Sequence, residues 1–504
     1  MKKTVLFAMG LMLGTASTAQ VETAKIAAST GGTFGASGNY VRLYTANPDL
    51  SNMVVADSAL GDFSNAVVQD GALIYCHVGR SAGHPEGSDQ IMVYNAATGD
   101  REFDVNTGVS GLQDMAVYED YLVFIRGFGA ADNKAVTVLN KNTNLEVFAD
   151  TQIAQPGAMF LSGGMLYVAN TQNNEAVITV YDLTDIAPQK VGEIAVNDTL
   201  TSGANGIFVH DGYAYLIHRK FNPDFSLAYD GFTAVNLADS SFNVDTTVSV
   251  NEIFAVNDGK LWLRKNGIST FDLASDTFAN VMGSTGTAAV FDSINGNLYL
   301  QNTDFFSYGD LSKFDNNFDT VATAQTNWSG SALTTVYNHL PVVDSVEFTK
   351  TPLELIYDFD LTDFDRGDTA YITNTQLLVG HYTLSFDESS VTLEGAFGGF
   401  SEDTLVVTIC DGLGGCITHS VEIEETINSV EELTQTNYKI YPNPATDVVF
   451  VDGLNQNTEF RIVDLSGKEV KRGFTQKQVN VSDLNRGMYL LQINGGNPQK
   501  ILIK

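Results

Sequence analysis

The chain has 504 residues, 60 acidic against 27 basic, a formal net charge of -33 and three cysteines, a length that suggests several domains. Its acidity excludes nucleic acid as a general partner, because phosphate binding needs a basic surface.

The N-terminus opens on Lys2 and Lys3, continues with an apolar run from Val5 to Leu13, and reaches the small residues Ser17 and Ala19. That order is a secretory signal peptide over residues 1–19, cut after Ala19, and its apolar run is too short to anchor in a bilayer. No cysteine lies near the cut, which argues against a lipid anchor there. No later stretch is long and apolar enough for a transmembrane helix. In an oxidising compartment three cysteines allow one disulfide and one leftover thiol.

From residue 20 to 340 one unit recurs, with a period of roughly 36 to 49 residues. Each unit has a short apolar strand, a turn such as Asp70-Gly71, Asp211-Gly212 or Asp258-Gly259, and a second strand such as Leu73-Ile74-Tyr75, Tyr215-Leu216-Ile217 or Leu261-Trp262-Leu263. A third strand follows, such as Ile91-Met92-Val93-Tyr94 or Ile178-Thr179-Val180-Tyr181. Six units are complete. Tyr40–Tyr44 reads as the third strand of a seventh, and Ala332–Val336 as its first. Four short strands per unit, stacked around an axis with chain ends sharing one unit, predict an all-β, seven-bladed β-propeller. The repeats resemble those of bacterial surface-layer and quinoprotein-like propellers, a resemblance that is informative about fold and poor about function.

First-strand starts and second-strand ends meet at one mouth of such a ring. The alignment therefore groups Asn65, Asp114, Asn205 and Asn251 with His77, Arg126, Asn170, His218, Lys265 and Asn302. The longer loops 78–90 and 219–231 add Arg80, Arg219, Lys220 and Tyr229. Basic residues are scarce in this region, yet Arg80, Arg126, Arg219, Lys220, Arg264 and Lys265 fall at or just past second-strand ends. A positive mouth on a negative body would focus an anionic ligand such as an acidic glycan, whereas solvated charges at strand ends are the plain alternative. His77, His218, Tyr229 and Arg126 would also be the natural actors of a polysaccharide lyase. No Gly-x-Ser-x-Gly, His-Glu-x-x-His or phosphate loop occurs. The preferred expectation is a non-enzymatic binding or adhesion protein, with a lyase or glycosidase at the same mouth as the alternative.

Residues 341–425 read as a β-sandwich of alternating strands such as Val391-Thr392-Leu393-Glu394. The module resembles immunoglobulin-like or cadherin-like domains, and the stretch Asp358–Asp368 resembles the aspartate-rich segment of bacterial cadherin-like repeats. Asp360, Asp363, Asp365 and Asp368 offer oxygen ligands that suit Ca²⁺; a solvated acidic turn is the other reading. Cys410 and Cys416 flank Asp411-Gly412-Leu413-Gly414-Gly415, flexible enough for a disulfide. Cys76, in a blade strand, is expected to be buried and unpaired.

Residues 426–436 read as a linker. In 437–504, Tyr441-Pro442-Asn443-Pro444-Ala445, then Phe460-Arg461-Ile462-Val463-Asp464-Leu465-Ser466-Gly467-Lys468, then Leu484-Asn485-Arg486-Gly487-Met488-Tyr489, and a tail ending Ile501-Leu502-Ile503-Lys504 stand in order. These segments resemble the type A C-terminal sorting domain of the type IX secretion system of Bacteroidetes. The resemblance implies a small β-sandwich, a translocon in the outer membrane as partner, and a secreted or cell-surface destination.

Overall fold

The computed structural model describes residues 20–504 except 32–38, 81–83, 85, 109, 128–132, 173–174, 185–186, 197–203, 223–226, 246, 266, 284–285, 304–308, 327–329, 351–353, 381, 395–402, 424–437, 455, 465–467 and 494–497, and except the side chains of 219–221, 227–229, 330–331 and 350. The expected signal peptide, the expected linker and the side chains of Arg219, Lys220 and Tyr229 lie outside the described residues. The chain falls into two compact units, 1–395 with 404–421, and 396–403 with 422–504.

Within the first unit, the described residues between 21 and 339 form seven four-stranded antiparallel sheets. Six are made of consecutive strands, spanning 67–106, 112–150, 156–196, 204–245, 252–282 and 288–326; they are numbered one to six below. The seventh, the closing sheet, has the order Gly330–His339, Val21–Thr30, Tyr40–Ala46, Val54–Leu60. The strand that follows sheet six thus pairs with Val21–Thr30, from the other end of the repeat array. The first strands of the seven sheets touch one another in cyclic order, from Val67–Asp70 round to Gly330–His339 and back. This is a propeller-like ring with no free first strand.

Local chemistry explains the hairpins. The tight turns need two residues at positive φ, which glycine and aspartate supply most cheaply. Asp211 and Gly212 have φ of 47° and 78°, and Asp258 and Gly259 have 50° and 70°. Packing explains the strand compositions. Leu73–Val78 is buried along its whole length, and Gln90–Asn95 nearly so, because neighbouring sheets cover both faces. The fourth strand, Arg101–Asn106, is mostly exposed and mixes charge with apolar residues. The core runs between sheets: Leu73, Tyr75, Leu122, Phe124, Met159 and Leu166 belong to one cluster drawn from sheets one, two and three.

The same compact unit contains most of a two-sheet β module. One sheet has the order Val342–Lys350, Glu354–Thr362, Ser390–Glu394, Thr383–Phe386; the other has Tyr371–Leu377, Asp403–Cys410, Cys416–Ile423. Cys410 and Cys416 are disulfide-bonded, and Cys76 is free and buried.

The second unit contains a three-stranded sheet, Lys439–Tyr441, Val448–Asp452, Gln478–Asn480, and a four-stranded one, Glu469–Thr475, Thr458–Asp464, Gly487–Ile493, Gln499–Ile503. Alternation in Val448–Asp452 turns Val449 and Val451 inward to meet Phe460, Ile462, Leu491 and Ile501. Among the described residues no helix is long and apolar enough to cross a membrane.

Candidate functional site

Strand register brings first-strand starts opposite second-strand ends along one rim of the ring. Leu112 faces Arg126, Pro156 faces Asn170, Ala204 faces His218, and Glu252 faces Arg264. A bulge recurs there: the register shifts between Leu112 and Asp114, Pro156 and Ala158, Ala204 and Gly206, and Ile253 and Ala255. One extra residue locally changes which face the next side chain takes. Asn205, set between two paired positions of its strand, is exposed as a result.

Most of the polar residues that close this rim face inward. His77, Asn170 and His218 are each 0 % exposed, Arg126 2 % and Arg80 8 %. The backbone N–H of Asn65 donates to His77 Nδ1 at 3.0 Å. With Nδ1 accepting, the ring proton is on Nε2, which stands 3.3 Å from Asp89 Oδ2. Asp89, itself 0 % exposed, accepts the backbone N–H groups of Arg80, Gly111 and Leu112. Burial raises its pKa, but the contact with His77 and these backbone donors outweigh it and hold the carboxyl below the usual range. Asn170 donates to Thr179 Oγ1 at 2.8 Å, and His218 Nε2 lies 2.8 Å from Thr233 Oγ1.

Several of these contacts cross from one sheet to the next. Arg80 Nε donates to the carbonyl of Leu60 in the closing sheet at 3.0 Å. Asp89 joins sheet one to the start of sheet two through Gly111 and Leu112. Arg126 reaches back to the carbonyl of Thr107 at 2.5 Å, donates to Thr137 Oγ1 at 2.9 Å, and lies over the Phe124 ring. Arg264 pairs with Glu252 and donates to the carbonyl of Gly286 before sheet six. Gln301 of sheet six donates to the carbonyl of Ser29 in the closing sheet at 3.1 Å. The expected positive mouth is not laid open at His77, Arg80, Arg126, Asn170 and His218, whose side chains are buried and bonded within the chain. Arg80 and Arg126 are staples between sheets, whereas Asn170 and His218 bond within their own sheets; a buried guanidinium suits the first role because it fills several acceptors at once.

A different set remains at the surface. Asn65, Asn205 and Asn251 are exposed; Asp114, Lys265 and Asn302 are partly so. Asn65 donates to the carbonyl of Leu112 at 2.7 Å, Lys265 lies over the Phe278 ring, and Asn302 donates to Asp310 at 2.9 Å. Asp114 accepts the N–H of Met115 at 2.8 Å. Burial, with a smaller contribution from Glu252, pushes its carboxyl up to about 7.

Sequence grouping missed Asp89 and Asp230. Each follows its histidine by the same spacing, His77 to Asp89 and His218 to Asp230. Asp230 accepts from Ser249 Oγ at 2.5 Å, on the loop that leads to sheet five. The repeated spacing was a readable signal of a bond to the following sheet.

The four aspartates expected to bind Ca²⁺ are not gathered around one point, and no cluster of three His, Cys, Asp or Glu groups among the described residues can hold a metal ion. Asp360 is exposed in the strand Glu354–Thr362. Asp365 accepts the backbone N–H of His339 at 2.6 Å, with its other oxygen 2.9 Å from His339 Nδ1. Asp368 accepts the N–H groups of Gly412 and Leu413. Asp363 accepts the N–H of Asp365, and burial followed by the nearby Asp368, Asp365 and Asp411 pushes it up to about 6. Backbone N–H groups thus donate to both Asp365 and Asp368.

Residues 439–504 match the family described as the secretion system C-terminal sorting domain. No curated protein matches the chain. Among solved structures, the computationally designed Ika8 protein is 9 % identical over 66 % of this chain and 93 % of its own, with a TM-score of 0.40. Apo AztD from Citrobacter koseri is 12 % identical over 62 % of this chain and 89 % of its own, with a TM-score of 0.40. BamB from Moraxella catarrhalis is 13 % identical over 64 % and 91 %, with a TM-score of 0.37. Likeness of that order says nothing of what this chain binds. The sorting tail makes the protein one that type IX secretion machinery handles and delivers to the cell surface or beyond.

Proposed function

We propose that this exported chain is a binding protein without catalytic activity, built as a closed seven-bladed propeller, an immunoglobulin-like sandwich and the sorting tail. The cyclic contacts of the seven first strands support the propeller reading, and the two antiparallel sheets of the middle module support the sandwich reading. The ligand sits at the bulged rim, on Asn65, Asp114, Asn205 and Asn251.

The burial of the rim's imidazoles and of Arg126 carries this reading. A lyase needs a base and a charge stabiliser that touch substrate, and His77, His218 and Arg126 have no access to one. Among the described residues, the groups still at the rim are amides, the carboxyl of Asp114 and the ammonium of Lys265, a mixture that hydrogen-bonds to hydroxyls. The ligand class that this mixed rim suits is a neutral glycan read through its hydroxyls.

Glycan binding by the purified chain tests this, with neutral, amine-bearing and acidic polysaccharides in parallel. Replacing Asn205 and Asp114 together by alanine removes two hydrogen-bonding side chains of about 1 kcal/mol or more each and should weaken binding about tenfold or more. Selective retention of the acidic or the amine-bearing polysaccharide, or new unsaturated ends in any of them, would overturn the proposal.

A further inference from the structure

The ring has one seam, where Gly330–His339 pairs with Val21–Thr30. Two loops of the middle sandwich lie across it. The loop around Asp365–Gly367 joins the closing strand to sheet one. Asp365 accepts the N–H of His339, the last residue of the closing strand. On sheet one, Ala72 N–H donates to the carbonyl of Arg366 at 3.0 Å and Asn95 Nδ2 to that of Gly367 at 2.9 Å. Arg366 also pairs with Asp70 at 3.3 Å.

The second loop is the one closed by Cys410 and Cys416. Leu413, 7 % exposed, is packed in one cluster with Ala27, Val41 and Val336 of the closing sheet and Ala72 and Ala96 of sheet one. Asp411, 2 % exposed, accepts from Asn338 Nδ2 of the closing strand at 3.0 Å. The fit is close: a side chain at Gly415 would come within 2.3 Å of Asn338 Nδ2. Asp368 ties the two loops together through the N–H groups of Gly412 and Leu413.

A loop with three glycines among five residues loses much conformational freedom when it orders. Closing it covalently removes part of that cost beforehand. Cys416 is exposed, so reductant can reach the bond.

We propose that the disulfide loop is a redox-set clasp on the ring's seam, so that the ring is locked shut in the oxidised chain and loosened in the reduced one. Forming the bond takes two protons and two electrons from the Cys410 and Cys416 thiols. They pass to a disulfide-bearing oxidant, which leaves as its dithiol. The sandwich then acts as the lock of the ring and not as a spacer, and the lock engages only where thiols are oxidised, outside the cytoplasm.

Hydrogen–deuterium exchange by mass spectrometry on the full chain tests this, with and without a thiol reductant. Reduction should speed exchange at least about tenfold in peptides covering 21–30 and 332–339, and leave peptides of sheet three, across the ring, unchanged. Leu413→Ala keeps the disulfide but removes the plug, and should reproduce the same local opening in oxidised protein. Unchanged seam exchange after complete reduction, or acceleration spread evenly over the ring, would refute the clasp. So would a Leu413→Ala variant whose seam stays as protected as that of the parent.

Discussion

Replacing Asp89 by asparagine separates a staple from a ligand group most cleanly, because the volume hardly changes. The carboxylate accepts three backbone N–H groups at 2.8, 2.8 and 3.0 Å, one on Oδ1 and two on Oδ2, and faces His77. An amide keeps one acceptor oxygen. In its better orientation it still accepts from Gly111 and Leu112, while its NH₂ group confronts the N–H of Arg80. One charge-assisted bond is lost and one buried donor is left unsatisfied, a cost of about 2 to 4 kcal/mol. Urea unfolding of the full chain reads this as a lower midpoint with an unchanged slope. The pH dependence provides a second check. Asp89 has a pKa held below the ordinary value of about 3.9, so its contribution is present above that pH and is lost as pH falls through the folded-state value. Parent and variant should therefore differ at neutral pH and converge in strong acid. A loss under about 1 kcal/mol at neutral pH with unchanged slope would refute the staple reasoning, since an exposed site of no structural consequence behaves that way.

Asp114 should show the opposite pH dependence. Its folded-state pKa is raised to about 7, so the stability it contributes is complete below about pH 4 and is lost as pH rises through about 7. Asp114→Asn should accordingly melt higher than the parent at about pH 8 and show a flatter profile between about pH 4 and 8; a lower melting temperature at pH 8 would contradict the buried-carboxyl account. Cys76 is 0 % exposed, and burial pushes its thiol up to about 12. A thiol reagent should find no reactive cysteine in the native oxidised chain and one after unfolding in urea; rapid labelling of the native protein would show that the first ring sheet opens.

The sequence by itself determined the hairpin turns, the recurring strands and the sorting tail, because each depends on local chemistry. Asp258-Gly259 makes a tight turn wherever it stands, since both residues tolerate positive φ. Val449 and Val451 show their inward face through alternation alone. The flexible segment between Cys410 and Cys416 likewise allowed those two sulfurs to meet. Only the tertiary structure decided where strand-end polar groups point. Arg126 is bonded to Thr107, nineteen positions earlier, across a boundary between sheets. The acceptor that pulls a guanidinium inward belongs to a neighbouring sheet, and a single strand carries no record of it. The first-strand bulges had the same effect on parity: one inserted residue exchanges the inner and outer faces, so exposed Asn205 and buried His218 could not be told apart from repeat alignment. The docking of the sandwich on the seam was decided in the same way, because Leu413 finds Val336 and Ala72 only after the ring has brought the two ends of its repeat array together.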